Sequence, residues 1–256
     1  MEFTGEIARL QQRLAECQEL TLRRFTVIEQ LAPRRGERVL EIGCGAGLLL
    51  REIGLALGPH GLAAGLDVSP DQIAQAAVEC ASVPAVCPVV GDATALSYPD
   101  AVFDAAVAVQ VLEYIPDPAA AIVELRRTLK PGGRLLCLAN NWTSTFWHGP
   151  QAWLTGEIAA MWERHAAHPN LPARLGPMLA QAGFQGIRQL PVPIVNAQFD
   201  ETGFAYWLAR LMAGFAAQEG TPKEITAAWL AALDAAEAEG EFFFSSVPIL
   251  TTATAP

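Results

Sequence analysis

The stretch Val39-Leu40-Glu41-Ile42-Gly43-Cys44-Gly45-Ala46-Gly47 restricts the folding of this chain more than any other. Val39, Leu40 and Ile42 suit a strand packed on both faces. The glycines at alternate positions then remove Cβ atoms where the backbone must turn sharply and let a ligand come close. A helix follows, and its unpaired N–H groups and positive dipole end point at whatever sits in the turn. The pattern predicts a nucleotide-like ligand. A dinucleotide fingerprint requires G-x-G-x-x-G, but here the third glycine comes one residue early and Leu48 stands in its place. Glu41, two residues before the first glycine, is also a poor neighbour for a pyrophosphate and suits an ammonium or a sulfonium.

Composition narrows the class of protein. Of 256 residues, 52% are hydrophobic, enough for a sizeable core in one domain with elaborations. A net charge of −10 argues against nucleic acid or an anionic membrane as the main partner. The apolar runs are interrupted by residues such as Gln110 and Glu113, so no membrane span is expected. Met1–Gln12 is polar and acidic, unlike a secretory signal. Cys17, Cys44, Cys80, Cys87 and Cys137 form no C-x-x-C pair, which predicts free thiols in a reducing cytoplasm. No carboxylate–histidine cluster has metal-ligand spacing, so no metal is expected.

Along the chain, Ile7, Leu10, Leu14, Cys17, Leu20, Phe25, Ile28 and Leu31 recur at helical spacing up to Pro33. This segment reads as a covering helix; as a cap over the ligand it would bring Arg23 or Arg24 to the ligand's carboxylate. Strands are then predicted near 37–42, 61–67, 85–90, 102–109 and 133–139, with helices near 46–57, 70–82 and 117–129. Ser69-Pro70-Asp71-Gln72 carries the marks of a capping box, Asp117-Pro118 starts the next helix, and Pro131-Gly132-Gly133 stops it. Such alternation implies a parallel sheet with right-handed crossovers and a ligand beyond the carboxyl ends of its strands. A helix over 172–182, a sixth strand over 184–195 cut short by Pro191 and Pro193, helices near 201–219 and 222–238, and a last strand from Glu241 to Thr252 complete the reading.

Glu41-x-Gly43-x-Gly45-x-Gly47 after a hydrophobic strand resembles the first motif of the class I S-adenosylmethionine (SAM)-dependent methyltransferases, and the resemblance extends over roughly residues 36–140. It is nearest to the sub-group that methylates small molecules and quinones. The resemblance implies a doubly wound α/β fold with a mostly parallel seven-stranded sheet, its last strand antiparallel, and helical lid insertions. The implied organisation is a single domain over 1–256, with a helical cap at 1–33, a cofactor core at 34–140, and lid or acceptor insertions at 141–170 and 196–240. By the same resemblance Asp67 accepts the ribose hydroxyls, with Val68 packing on the adenine. Asp92 accepts the adenine amino group, the N–H of Ala93 meets the ring, and Gln110 faces the methionine end. Tyr114 departs from a pattern that places a histidine near this point.

Beyond the resembling core, Asn140 to Pro150 and the helix after it concentrate Trp142, Trp147, Trp153 and Trp162. Trp142, Trp147, His148 and Trp153 are the candidate acceptor residues, His148 and His165 the neutral-pH bases nearby, and His148 and Tyr114 the candidate catalytic pair. The expected activity is methyl transfer by in-line displacement from SAM to a small, partly apolar acceptor, leaving S-adenosylhomocysteine (SAH), in a cytoplasmic monomer or homodimer. A SAM-binding protein without catalysis is the alternative. A nicotinamide-dependent oxidoreductase is a further one, disfavoured by the glycine spacing.

Overall fold

The computed structural model describes the backbone of residues 5–256 and the side chains from Arg9 onward. The polar start read over Met1–Gln12 therefore lies partly outside the described residues, as does the Ile7 side chain. The described chain forms two compact units. A core unit comprises Arg24–Ala139, Leu171–Pro191 and Ile249–Pro256, and an accessory unit comprises Met1–Arg23, Asn140–Asn170 and Val192–Pro248.

The N-terminal helix divides at Cys17 into α1 (Gly5–Glu16) and α2 (Gln18–Leu31). The core unit then runs through β1 (Arg38–Ile42), α3 (Leu48–Leu57), β2 (Leu62–Asp67), α4 (Pro70–Glu79), β3 (Val86–Val90), β4 (Phe103–Val109), α5 (Pro118–Thr128) and β5 (Leu129–Ala139). β6 (Phe146–His148) and α6 (Ala152–Glu163) belong to the accessory unit, and α7 (Pro172–Gln181) and β7 (Gln185–Pro191) to the core. β8 (Ile194–Asn196), α8 (Phe204–Gln218), α9 (Lys223–Glu239) and β9 (Phe243–Ser246) are again accessory, and β10 (Ile249–Thr254) returns to the core sheet.

The core sheet has seven strands in the order β3-β2-β1-β4-β5-β10-β7. All its ladders are parallel except the two that β10 makes with β5 and β7. The central strands are apolar along their length because both faces are covered: Val39, Leu40 and Ile42 are fully buried, as are Ala105, Ala106 and Val107. Even-numbered positions of these strands, Leu40, Ile42, Ala64 and Ala106, share one cluster with Ile122 and Leu125 of α5 and with Leu175 and Leu179 of α7. The opposite face meets α3, whose Leu50 leaves no room for a side chain on Gly65 of β2. The helix starts follow local chemistry: the Ser69 hydroxyl accepts from Gln72 N at 3.3 Å, and the Asp117 carboxylate from Ala120 N at 3.1 Å.

Three expected boundaries shift. β5 begins at Leu129, ahead of Pro131-Gly132-Gly133, because the ladder with β4 slips there: Phe103 pairs with Leu129 but Ala105 with Arg134. The surplus residues form an irregular bulge in which Gly132 takes a φ of 76°. The single strand read over 184–195 is two strands in different sheets, β7 and β8, and the single last strand is likewise β9 and β10. Pro191, Pro193 and Pro248 offer no N–H to a ladder. Both segments change sheets at this point, where Val192 N donates to Pro248 O at 2.9 Å.

The accessory unit has its own antiparallel sheet, β6-β9-β8, and its own core. Alternation turns Trp147 and Phe244 inward, with rings 4.4 Å apart, and leaves Phe146 and Phe243 outward. Trp162, Phe204, Leu208 and Trp229 fill the rest of the core. The N-terminal amides of α8, which have no partner within the helix, are capped from distant sequence. Phe204 N donates to Glu19 Oε2 at 3.2 Å and Ala205 N to Asn196 Oδ1 at 2.9 Å, while Asn196 Nδ2 donates to Glu19 Oε1.

Phe103 is fully buried and meets Tyr98 edge-on at 5.0 Å. Phe103→Ala is expected to cost about 3–5 kcal/mol in urea unfolding. A loss below about 1 kcal/mol would show that this end of β4 repacks freely.

Candidate functional site

β1 delivers its chain into a turn whose glycines are all left-handed, with φ of 63° at Gly43, 51° at Gly45 and 86° at Gly47. The turn is held by Cys44 N on Leu66 O and Gly47 N on Cys44 O, both at 3.0 Å. Gly47 is the residue before α3, and a methyl group there would lie 3.0 Å from Ala76. A methyl group on Gly45 would meet only Gln72 Oε1, at 3.6 Å. That opening beside the N-terminus of α3 is the cradle expected of an anion- or nucleoside-binding turn.

Asp67, at the end of β2, is fixed before any ligand arrives. Its Oδ2 accepts from Gly45 N at 2.9 Å and its Oδ1 from Ser69 N at 3.0 Å. Each oxygen retains a second lone pair for an outside donor. Val68 beside it is 70% exposed, an apolar side chain left without cover next to the turn. Asp92 follows β3 and is exposed. Its Oδ1 accepts from both the backbone N and the Oγ1 of Thr94 at 2.8 Å, which holds its carboxyl below the usual range. Ala93 next to it is buried. Gln110 follows β4 with a φ of 55°, unusual for a residue with a Cβ, and its N donates to Leu138 O at 2.7 Å. Strand order brings the ends of β1, β2, β3 and β4 to one edge of the sheet, and Glu41, Asp67, Asp92 and Gln110 come to that edge with them. Asp104, at the other end of β4, is structural: it accepts from Arg38 N at 2.8 Å and from Lys130 Nζ at 2.5 Å.

Glu41 is the electrostatic centre of the turn. It is 4% exposed, and its Oε2 is buried with no hydrogen-bond partner among the described residues. Burial raises its pKa well above the ordinary carboxylate value, with the Asp67 and Glu52 charges adding to the shift. Those surroundings favour the protonated, neutral form of Glu41, and a cation beside it would favour the ionised form. Glu52 was missed in the sequence: its Oε2 is likewise buried without a partner, and its Oε1 accepts from Arg24 Nε at 3.1 Å. Arg24 is thereby engaged within the core unit, and Arg23 is buried in the accessory unit. Gln72, read as a capping residue, instead has its Oε1 near Gly45; only the forward half of the capping box forms.

The acceptor candidates fall in different surroundings. Tyr114, in the core unit, is 37% exposed. His148 is exposed on β6, opposite Phe243. Trp153 is 56% exposed and donates from Nε1 to Gln151 Oε1 at 2.6 Å. Trp142 and Trp147 are packed into the accessory core, against Trp162 at 5.5 Å and Trp229 at 5.2 Å respectively. His165 stacks on Trp162 at 3.8 Å, and burial pushes its pKa down to about 4, so it stays neutral and poorly basic. Two shallow cavities of the accessory unit, of about 420 and 600 Å³, contain none of the expected cofactor residues. No group of described residues has the makings of a metal site, and no described helix is long and apolar enough to cross a membrane.

Residues 40–137 match the model of a family described as the methyltransferase domain. The chain is 34% identical over 139 residues to an uncharacterised 37.1 kDa protein in transposon TN4556 of Streptomyces fradiae, covering 54% of this chain and 39% of that protein. It is 34% identical over 115 residues to the demethylmenaquinone methyltransferase of Staphylococcus aureus, covering 45% of this chain and 48% of that one. The chain thus spans less than half the length of these curated relatives. Among solved structures, the 4+2 cyclase SpnF superposes with a TM-score of 0.58 at 26% identity, over 91% of this chain and 80% of that one. Residues 40–137, which carry the glycine turn and strands β1 to β4, therefore form a domain of this methyltransferase family.

Proposed function

We propose that the chain transfers the methyl group of SAM to a small, partly apolar organic acceptor. One observation carries this reading: the glycine turn with its open position at Gly45 follows a buried acid, Glu41, whose Oε2 has no hydrogen-bond partner among the described residues. The residues present fit the cofactor. Asp67, held by two backbone amides, takes the ribose hydroxyls; Val68 takes one adenine face; Asp92 and the N–H of Ala93 take the adenine edge. Gln110 and Glu41 serve the methionine end, where Glu41 offsets positive charge. When bound, SAM supplies a methyl group on a positively charged sulfur. The protein's part is to align the acceptor, exclude water and move a proton if the acceptor loses one. Tyr114 is the exposed candidate for that proton within the core unit. Trp142 and Trp147 support the accessory core in which they are packed.

The likeness to a structure named for cyclisation means that the fold alone does not decide the activity. The deciding experiment offers SAM labelled on its methyl group with a panel of phenols, quinols, amines and thiols, and measures SAH. Acceptor-dependent SAH formation is expected. Tight SAM binding with no SAH from any acceptor would favour the non-transferring alternative, and stabilisation by NAD but not by SAH would overturn both.

Two further outcomes follow from the geometry. Asp67→Ala removes charge-assisted bonds worth about 1.5–3 kcal/mol, so SAH affinity should fall roughly ten- to a hundredfold in calorimetry. Glu41 has a raised pKa, so in the ligand-free protein it contributes stability that is full below the ordinary value of 4.5 and lost as pH rises through the raised one. A cationic ligand favours the ionised form. SAM binding should therefore release a proton and strengthen with rising pH, seen as a dependence of the binding heat on buffer ionisation enthalpy. In Glu41→Gln that dependence should vanish.

A further inference from the structure

With the core unit taken as a SAM site, as proposed above, the glycines of the turn separate by purpose. A methyl group on Gly45 would meet only Gln72 Oε1, at 3.6 Å, so no packed group forbids one there. A methyl group on Gly43 would lie 2.2 Å from Val111 Cγ2, 2.8 Å from Cγ1 and 3.1 Å from Cβ. Such separations are far inside van der Waals contact, and three atoms of one branched, stiff side chain are involved. The Val111 isopropyl group therefore sits directly on the Cα of Gly43.

Gln110 explains how Val111 gets there. Its N–H remains in the ladder, donating to Leu138 O at 2.7 Å, while its φ of 55° reverses the chain at that residue. Tyr114 N then closes the next turn on Val111 O at 2.9 Å. Left-handed backbone at a residue with a side chain is costly and persists only where its surroundings impose it. Here it sends the chain out of β4 so that residue 111 faces the neighbouring β1 turn.

We infer that Val111 is a positioning residue for the cofactor: delivered by the left-handed Gln110, it wedges the Gly43 end of the turn, so the first glycine of the motif is required by Val111 and the second by the ligand. Val111 touches neither reactant in this role. It acts through the turn that carries Gly45 and Glu41.

The test is a double-variant rescue. Gly43→Ala, Val111→Ala and the combined variant are compared by SAH calorimetry, by SAM KM and kcat, and by melting temperature without ligand. Gly43→Ala should weaken SAH binding roughly tenfold or more. Val111→Ala should raise the SAM KM several-fold and leave kcat near that of the parent. The combined variant should recover most of the lost SAH affinity and of the lost melting temperature, because the new methyl group occupies space the isopropyl vacates. The conformational penalty of alanine at a φ of 63° is common to both Gly43→Ala proteins and cancels in the comparison. A combined variant no better than Gly43→Ala, or an unchanged KM in Val111→Ala, overturns the inference. If Gly43→Ala fails to fold, a soluble combined variant supports the wedge and an insoluble one overturns it. Recovery of melting temperature in a protein whose parent binds no SAH would sink the cofactor reading while leaving the wedge standing.

Discussion

The hydrogen bond from Gly45 N to Asp67 Oδ2 ties the end of β1 to the end of β2, and the working edge of the core sheet is arranged around it. Without it, a turn with three left-handed residues has little local reason to persist, since glycine pays the largest conformational entropy on ordering. The neighbours complete the restraint: Val111 bears on Gly43, and Ala76 and Cys80 bear on Gly47. Gly45 alone is left open, so the rigid parts of the turn frame its one unfilled position. The same bond orients the Asp67 carboxylate before any ligand arrives, which reduces the ordering that binding would otherwise require.

Burial of acids supplies the second constraint. Glu41 and Glu52 each place an oxygen out of reach of water and of any described donor. A folded chain tolerates this by keeping a proton on one of them, which is what the raised pKa of Glu41 expresses. The ligand-free turn is thus kept neutral at Glu41 by a proton, and a positively charged neighbour would favour its release. This is the same discrimination that the glycine spacing makes against a pyrophosphate, reached from charge instead of backbone geometry.

Much of this was legible before any coordinates. The strands of the core are apolar on both faces, and their glycine, proline and Asx punctuation falls where helices start, so β1 to β4 could be placed within a residue or so. Glu41, Asp67, Asp92 and Gln110 were marked by their positions at strand ends. What was illegible depends on partners remote in sequence. The divisions between β7 and β8 and between β9 and β10 arise because two distant proline-containing segments leave the same sheet together. The caps of α8 come from Glu19 and Asn196, neither of which stands where a local capping rule would look. Trp142 and Trp147 read as acceptor residues from their aromatic company, but their surroundings are core packing. Val111 stands in the run Gln110-Val111-Leu112-Glu113-Tyr114 after β4, but nothing in that run says which glycine the valine will cover.

The position of β10 has a consequence for how the molecule is made. This strand, residues 249–254, lies between β5 and β7 and is hydrogen-bonded to both. On the ribosome, β5 and β7 emerge long before it, so each presents an unpaired backbone edge during synthesis. All the accessory segments are also translated before the core sheet can close. A nascent chain of this design cannot complete its core unit first and add the remainder afterwards. It must hold an open β-sheet in register until its final strand is released, which is the stage at which a holdase or trigger-type chaperone has the most exposed edge to bind.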